Sequence, residues 1–326
     1  MLQARIPTNP ESRRIPGGAN ALVRCSLLLL ASMLLAIPNL PAQQQFSVEA
    51  GGARIDASLD EELPHLSPAQ LKHWIQNALD AVVVYYGHYP VPHVEVQLRA
   101  LDGVGVRGGR TFAMHGGLIR IGVGRDTTES DLAMDWMLTH EMVHLTFPSV
   151  PDEHHWIEEG IATYVEPIAR VQAGQFSGSR MWFEVVRDLP KGLPQSGDEG
   201  LDHTHTWGRT YWGGALFCFL AEIEIRKQTH NRKGLQDALR GILDSGGDMR
   251  QDWELTKALE AGDRSVGGNV LINLYNKMKD APHPMDLDAI WKDLGISMAG
   301  NSVQFHDDAP LAAIRKSITA PHATQR

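Results

Sequence analysis

The chain has 326 residues, 43% of them hydrophobic and 21% charged, with a net charge of −9 at neutral pH. That is enough apolar material for a substantial core and one or two domains. The acidic balance argues against nucleic acid or an anionic membrane surface as a partner, and no internal repeat is visible.

Residues 1–42 read as a signal peptide. Arg5, Arg13, Arg14 and Arg24 precede an apolar run of 13 residues from Cys25 to Ile37. A run of that length suits a signal h-region and is short for a membrane span. Cleavage after Ala42 fits, although Leu40 occupies the −3 place; an uncleaved N-terminal anchor is the alternative. Without these residues the net charge would be −12, and no membrane partner is expected after signal removal. Only Cys218 would remain, so no internal disulfide could form. Cys218 sits in an apolar helical run and reads as a small buried hydrophobe. An exported chain without disulfides points to a periplasmic or secreted enzyme.

Past the signal, Phe46–Ala50 and Ala53–Ala57 alternate like paired strands. Ser67-Pro68 opens a helix to about Tyr86, with Ser as cap and Pro in the first turn. Leu71, Trp74, Ile75, Leu79, Val82 and Val83 form its buried stripe. Val94–Leu98 is a strand. Thr111–Met114 and Leu118–Ile121 are short strand-like runs around Gly116-Gly117, a ribbon within residues 108–124.

His140-Glu141-Met142-Val143-His144 has the pattern H-E-x-x-H. On a helix, residues four apart share a face, so both imidazoles can converge on one ion. Glu141 lies about 100° round the helix and can reach a water on the metal as its base. Thr128 followed by Asp131 is a capping-box pattern, and Leu132, Met134, Trp136, Met137 and Leu138 supply apolar residues to bury. One helix is therefore expected from that cap to Pro148. The bland alternative is a helix with two solvated or core histidines. A third ligand is expected from Trp156–Tyr164, a second helix with Pro167 near its end. A metzincin arrangement fails, because Phe147 and Val150 stand where it needs Gly and His.

H-E-x-x-H followed by Trp156-Ile157-Glu158-Glu159-Gly160-Ile161-Ala162 (W-x-x-E-G-x-A) resembles the gluzincin zinc metallopeptidases, the group that holds thermolysin and the zinc aminopeptidases. The Trp and Gly around the Glu look closer to the aminopeptidase and glycyl-aminopeptidase branches. The resemblance covers roughly residues 110–215. It implies His140, His144 and Glu159 as ligands of one Zn²⁺, with Glu141 as general base. Glu158, or one of His154 and His155, stays open as a substitute third ligand. The 14 residues between His144 and Glu159 are fewer than the aminopeptidase branch usually has, so one pocket wall should differ. The family binds substrate backbone along the strand edge beside the metal helix, a place the 108–124 ribbon would fill. The G-x-M-E-N motif of the aminopeptidases is absent there: Ala113-Met114-His115 has no neighbouring Glu. His115 either meets substrate or is an exposed turn residue.

Residues 171–206 are rich in Gly and Pro and read as a loop region around one short helix, Arg180–Arg187. Thr210-Tyr211-Trp212-Gly213-Gly214-Ala215 resembles the Y-x-x-G-A entry to a helix in aminopeptidase-type gluzincins, whose Tyr hydroxyl faces the oxyanion. Tyr211 is the expected donor and Tyr164 its competitor. His203 and His205 are either helpers to that donor or solvated loop residues. Asp135 and Glu166 are possible carboxylate partners for the ligand histidines. Ala215–Ala221 starts a buried helix to about Arg226, and Leu235–Leu243, Trp253–Leu259, Asn269–Met278 and Leu287–Leu294 follow as amphipathic segments. Ser302–Phe305 is a late strand, and residues from Pro321 form a loose tail.

The fold class expected is α+β: a thermolysin-like zincin catalytic domain with a small mixed sheet and metal helix, followed by an α-helical part. The division expected is 1–42 signal, 43–170 α+β half, 171–206 loop region and 207–326 mostly α-helical half completing the cleft. The function expected is an exported zinc-dependent metallopeptidase acting on peptide or protein substrates. A non-catalytic binding or chaperone-like protein on the same fold, or a zinc hydrolase of non-peptide amides or esters, are the rivals.

Overall fold

A computed structural model describes residues 44–320; the expected signal at 1–42 and the tail from Pro321 lie outside them. β1 (Gln44–Ala50) and β2 (Ala53–Leu59) pair antiparallel across Gly51-Gly52, whose φ values of 57° and 82° suit a tight hairpin turn. β2 runs parallel to β3 (His93–Leu101), and β3 runs parallel to β5 (Leu118–Gly124). β4 (Val106–Phe112) lies antiparallel on the outside of β5. The order β1-β2-β3-β5-β4 makes a five-stranded mixed sheet with β4 as one edge. Ile55, Ala57 and Leu59 of β2 and Val94, Val96 and Leu98 of β3 are buried at a period of two. β4 ends at Phe112, so Ala113 and Met114 fall outside the strand expected there.

α1 (Pro68–Tyr86) packs on β1, and the stripe read from its sequence is buried except for the half-buried Val83. Ser67 and Gln70 form a reciprocal capping box, and Gly87 ends the helix at φ 88°.

The single helix expected from Thr128 to Pro148 is two helices. The Thr128–Asp131 capping box forms, but it opens α2 (Glu129–Met134), which stops after six residues. Asp135 turns extended, and its carboxylate accepts from the Met137 and Leu138 N–H groups at 3.0 and 3.2 Å, starting a separate α3 (Met137–His144). A short acidic side chain that bonds nearby backbone competes with helix continuation in this way. α3 ends at His144, before Pro148. The break turns Met134 and Trp136, expected in the core, outward to 56% and 48% exposure.

α4 (His155–Gln172) runs past Pro167, which lies inside it rather than near its end. The lost N–H there is offset by packing of Ile157, Ile161, Ala162, Val165 and Ile168, all buried. α5 (Gly178–Asp188), α6 (Gly214–Gln228), α7 (Leu235–Asp244), α8 (Leu255–Val266), α9 (Val270–Met278) and α10 (Leu287–Leu294) follow. Trp253 precedes α8 instead of opening it. β6 (Ile296–Ala299) pairs with β7 (Ser302–Phe305), and α11 (Ala312–Thr319) closes the described chain; the sequence signalled neither β6 nor α11. Gln236 and Arg240 of α7 donate to the Tyr85 carbonyl at 2.6 and 2.8 Å, tying the helical part to α1. Among the described residues, no helix is long and apolar enough to cross a membrane.

Candidate metal centre

His140 and His144 sit one turn apart on α3, and their Nε2 atoms lie 3.1 and 3.6 Å from Glu159 Oε2 on α4. One ligand atom from each of the three residues lies within 4.8 Å of the others, the one such His/Cys/Asp/Glu group among the described residues. Burial lowers the His140 imidazole below its ordinary value. Burial works to raise Glu159, but hydrogen bonds from His140, His144 and His155 outweigh it and hold the carboxyl well below the usual range. A neutral imidazole and an ionised carboxylate are what a divalent cation needs. Burial works against a charged His144, yet Glu159 raises it, so a cation would displace a proton there. Two imidazole nitrogens and one carboxylate are a donor set that fits catalytic zinc.

Ligand histidines usually donate their second ring N–H to a carboxylate or carbonyl. His140 does not: its Nδ1 is buried without a partner. Asp135 and Glu166, the carboxylates the sequence offered for that task, are engaged elsewhere. Asp135 caps α3 and accepts from Trp74 Nε1 at 3.0 Å, and Glu166 pairs with Arg170 at 2.8 Å. The His140 ring is instead held by rings: Trp136 edge-on at 5.3 Å, His144 at 4.8 Å and Tyr211 stacked at 6.2 Å.

Glu141 is 6% exposed and turned towards the edge strand β4. Thr111 Oγ1 lies 2.6 Å from Glu141 Oε2 and 2.9 Å from the Glu141 carbonyl oxygen. A Cβ on Gly109 would sit 2.4 Å from Glu141 Oε1, so a side chain there would push the carboxylate from its present position. The register of β4 against β5 shifts between Arg107 and Arg110, a bulge that includes Gly108 at φ 67°. Burial raises the Glu141 carboxyl above its ordinary value, restrained by His144 and by the Thr111 hydroxyl. Nothing in the sequence marked Thr111 or Gly109 for this site. The nearest signal was their place in a Gly-rich ribbon before the metal helix.

Tyr211 lies in a π-helical turn, Gly208–Gly213, that runs directly into α6. Such turns recur at functional sites. Burial, the Glu159 carboxylate that accepts from it and the nearby Glu141 push the Tyr211 hydroxyl up to about 12. Two glycines explain how it gets there. A Cβ on Gly160 would meet the Gly214 carbonyl carbon at 2.3 Å, and one on Gly214 would meet the Trp156 oxygen at 2.0 Å. α4 and α6 therefore cross backbone to backbone, which accounts for the Gly in each of the two sequence motifs. Tyr164 packs against Phe219 in the core, at 5% exposure.

The remaining candidates fall outside the cluster. Glu158 accepts from the Val150 N–H at 3.1 Å and from His155 Nδ1 at 3.0 Å. His155 also places Nε2 3.3 Å from Glu159 Oε1, so it contacts that carboxylate through its other oxygen. His154 turns to Asp202 at 2.9 Å. His203 pairs with Asp280 at 3.1 Å on the exposed surface, and His205 is exposed. His115 is an exposed residue at φ 53°, a left-handed turn position.

No protein-family model matches the sequence, and no curated protein matches it. Solved structures do match by fold. An aminopeptidase N family protein from Idiomarina loihiensis superposes with a TM-score of 0.54, over 78% of this chain and 49% of its own, at 12% identity. An M1 zinc metallopeptidase from Deinococcus radiodurans gives a TM-score of 0.48, over 74% and 54%, at 14% identity. The chain thus spans about half the length of the solved structures it matches. The fold is α+β, a zincin-like sheet and helix arrangement followed by a helical part, as the sequence led us to expect. The His140, His144 and Glu159 cluster fits its H-E-x-x-H plus Glu motif.

Proposed function

We propose that this protein is a zinc-dependent metallopeptidase that hydrolyses peptide bonds. The observation that carries the reading is the meeting of His140, His144 and Glu159 at one point with Glu141 beside them. These three side chains would hold one Zn²⁺, which supplies Lewis acidity that polarises a carbonyl and acidifies a water to a pKa of about 7. Glu141 takes the proton from the attacking water and passes it to the leaving amine. Its raised carboxyl suits both acts near neutral pH. Thr111 fixes one carboxylate oxygen and the Gly109 backbone gives the other space, so Glu141 keeps one orientation. Tyr211, protonated far into alkali, donates to the developing oxyanion. β4, an edge strand beside α3, offers backbone pairing to an extended peptide.

No acid lies on β4 to capture a substrate amine, so the reading stops at peptidase and does not extend to aminopeptidase. Export belongs to the proposal too, on the strength of the basic and apolar run at residues 5–37. The test is Glu141→Gln in zinc-loaded protein. It should leave zinc stoichiometry near one and cut peptide hydrolysis by about 10²–10⁴-fold; unchanged turnover would remove the mechanism.

A further inference from the structure

A cavity of about 400 Å³ opens beside the metal centre, with His140 and Tyr211 in its wall. That is the small end of ligand pockets, a size for one bulky side chain. Met134, Trp136 and Trp207 line it at 56%, 48% and 61% exposure, and they are three of the seven large apolar residues the described chain leaves exposed. Such a concentration of solvated apolar surface marks a binding site more than packing. Two of these side chains touch the site itself: Trp136 meets the edge of His140 at 5.3 Å, and Trp207 stacks on Tyr211 at 5.9 Å. Lys191 Nζ lies 5.9 Å from the Trp207 ring and 5.3 Å from that of Trp212, which also lines the cavity. Cations over indole faces hold such rings in place.

The charged residues of the lining are all spoken for. Arg170 pairs with Glu166 at 2.8 Å, Arg180 with Glu184 at 3.0 Å, and Arg187 with Asp188 at 3.0 Å. A charged substrate side chain entering the cavity would lose water and find no free counter-ion.

We propose that this cavity selects substrates with an aromatic side chain next to the scissile bond, packed against its indole-bearing wall. The proposal rests on the peptidase reading. His140 and Tyr211 both stand in the cavity wall, so a peptide whose scissile carbonyl lies at the metal centre can turn its neighbouring side chain into the cavity. Aromatic rings gain both from burial and from edge and face contacts with those indoles.

The experiment uses peptides that differ only in Phe or Ala beside the cleaved bond. In parallel, calorimetry measures binding of N-acetyl-phenylalanine amide and N-acetyl-alanine amide to zinc-loaded Glu141→Gln protein. We expect kcat/KM to favour Phe by at least about tenfold and the Phe amide alone to bind measurably. Trp207→Ala should collapse the Phe:Ala ratio, and Trp207→Phe should restore most of it. Met298→Ala, an exposed apolar residue on β6 outside this cavity, should leave the ratio unchanged. Cleavage with no Phe preference overturns the cavity proposal and leaves the peptidase reading intact. Selective Phe-amide binding without cleavage of any peptide supports the aromatic cavity and removes the peptidase reading. Equal binding of both amides overturns the proposal outright.

Discussion

Glu159 and Asp202 are both 7% exposed, and both gather aromatic rings from several elements. Asp202 Oδ1 accepts from Trp156 Nε1 at 2.7 Å and meets His154 Nδ1 at 2.9 Å, while Oδ2 accepts from the Tyr275 hydroxyl at 2.8 Å. Indole and phenol there are proton donors, so they close the network without any further group. Around Glu159 the picture differs: two imidazole Nε2 atoms converge on one oxygen, and an imidazole nitrogen can equally offer a lone pair. One cluster is closed by an indole and a phenol donor, and the other brings two imidazole nitrogens to a single carboxylate oxygen. Carboxylate burial is the same in both. What separates the two is how many imidazoles face the carboxylate: His154 alone at Asp202, but His140, His144 and His155 at Glu159.

The largest expected effect breaks this comparison at its metal side. Glu159→Ala should take bound zinc from near one equivalent to near none and end peptide hydrolysis, read by metal analysis and turnover. Asp202→Ala should do the reverse. It strands buried donors and should cost about 3 kcal/mol of stability in urea unfolding, with zinc still bound. Zinc loss at unchanged stability in Asp202→Ala would erase the distinction.

A third carboxylate sharpens it more gently. Glu166 is also on α4, and burial pushes it up to about 7 against the pull of Arg170. An unfolded glutamate titrates near about 4.3, so the folded chain keeps this proton over a higher range. Its stabilising contribution is therefore full below about pH 4.3 and lost as pH rises through 7. Thermal melts should show stability falling between pH 5 and pH 8, by about 2 kcal/mol from this group. Glu166→Gln should flatten that fall, whatever it does to overall stability by leaving Arg170 without a counter-ion.

Several parts of the site were readable because they are local. Four-residue spacing places His140 and His144 on one face of any helix. Ser67, Gln70 and Pro68 define the start of α1 within four residues. The motif glycines, Gly160 and Gly214, were visible as letters, but their contact was not, because it joins residues 54 apart in sequence. Thr111 and Glu141 meet across 30 residues, and no pattern within β4 announces it. The expected burial of Met134 and Trp136 failed for a nearer reason. Asp135 satisfies backbone N–H groups that a continuous helix would have used, and the chain turns there. The same turn leaves Met134 and Trp136 exposed in the wall of the cavity beside His140.

By itself the amino-acid order determined where most helices lie, the capping boxes at Ser67 and Thr128, and the shared helix face of His140 and His144, because each depends on residues within a turn or two. Only the tertiary structure decided which of Glu158 and Glu159 faces the histidines, what holds Glu141, and how Tyr211 reaches the centre. Those choices depend on the close crossing of α4 and α6 and on a bulged edge strand. Both are contacts between distant segments, whose geometry is set by packing and not by local propensity.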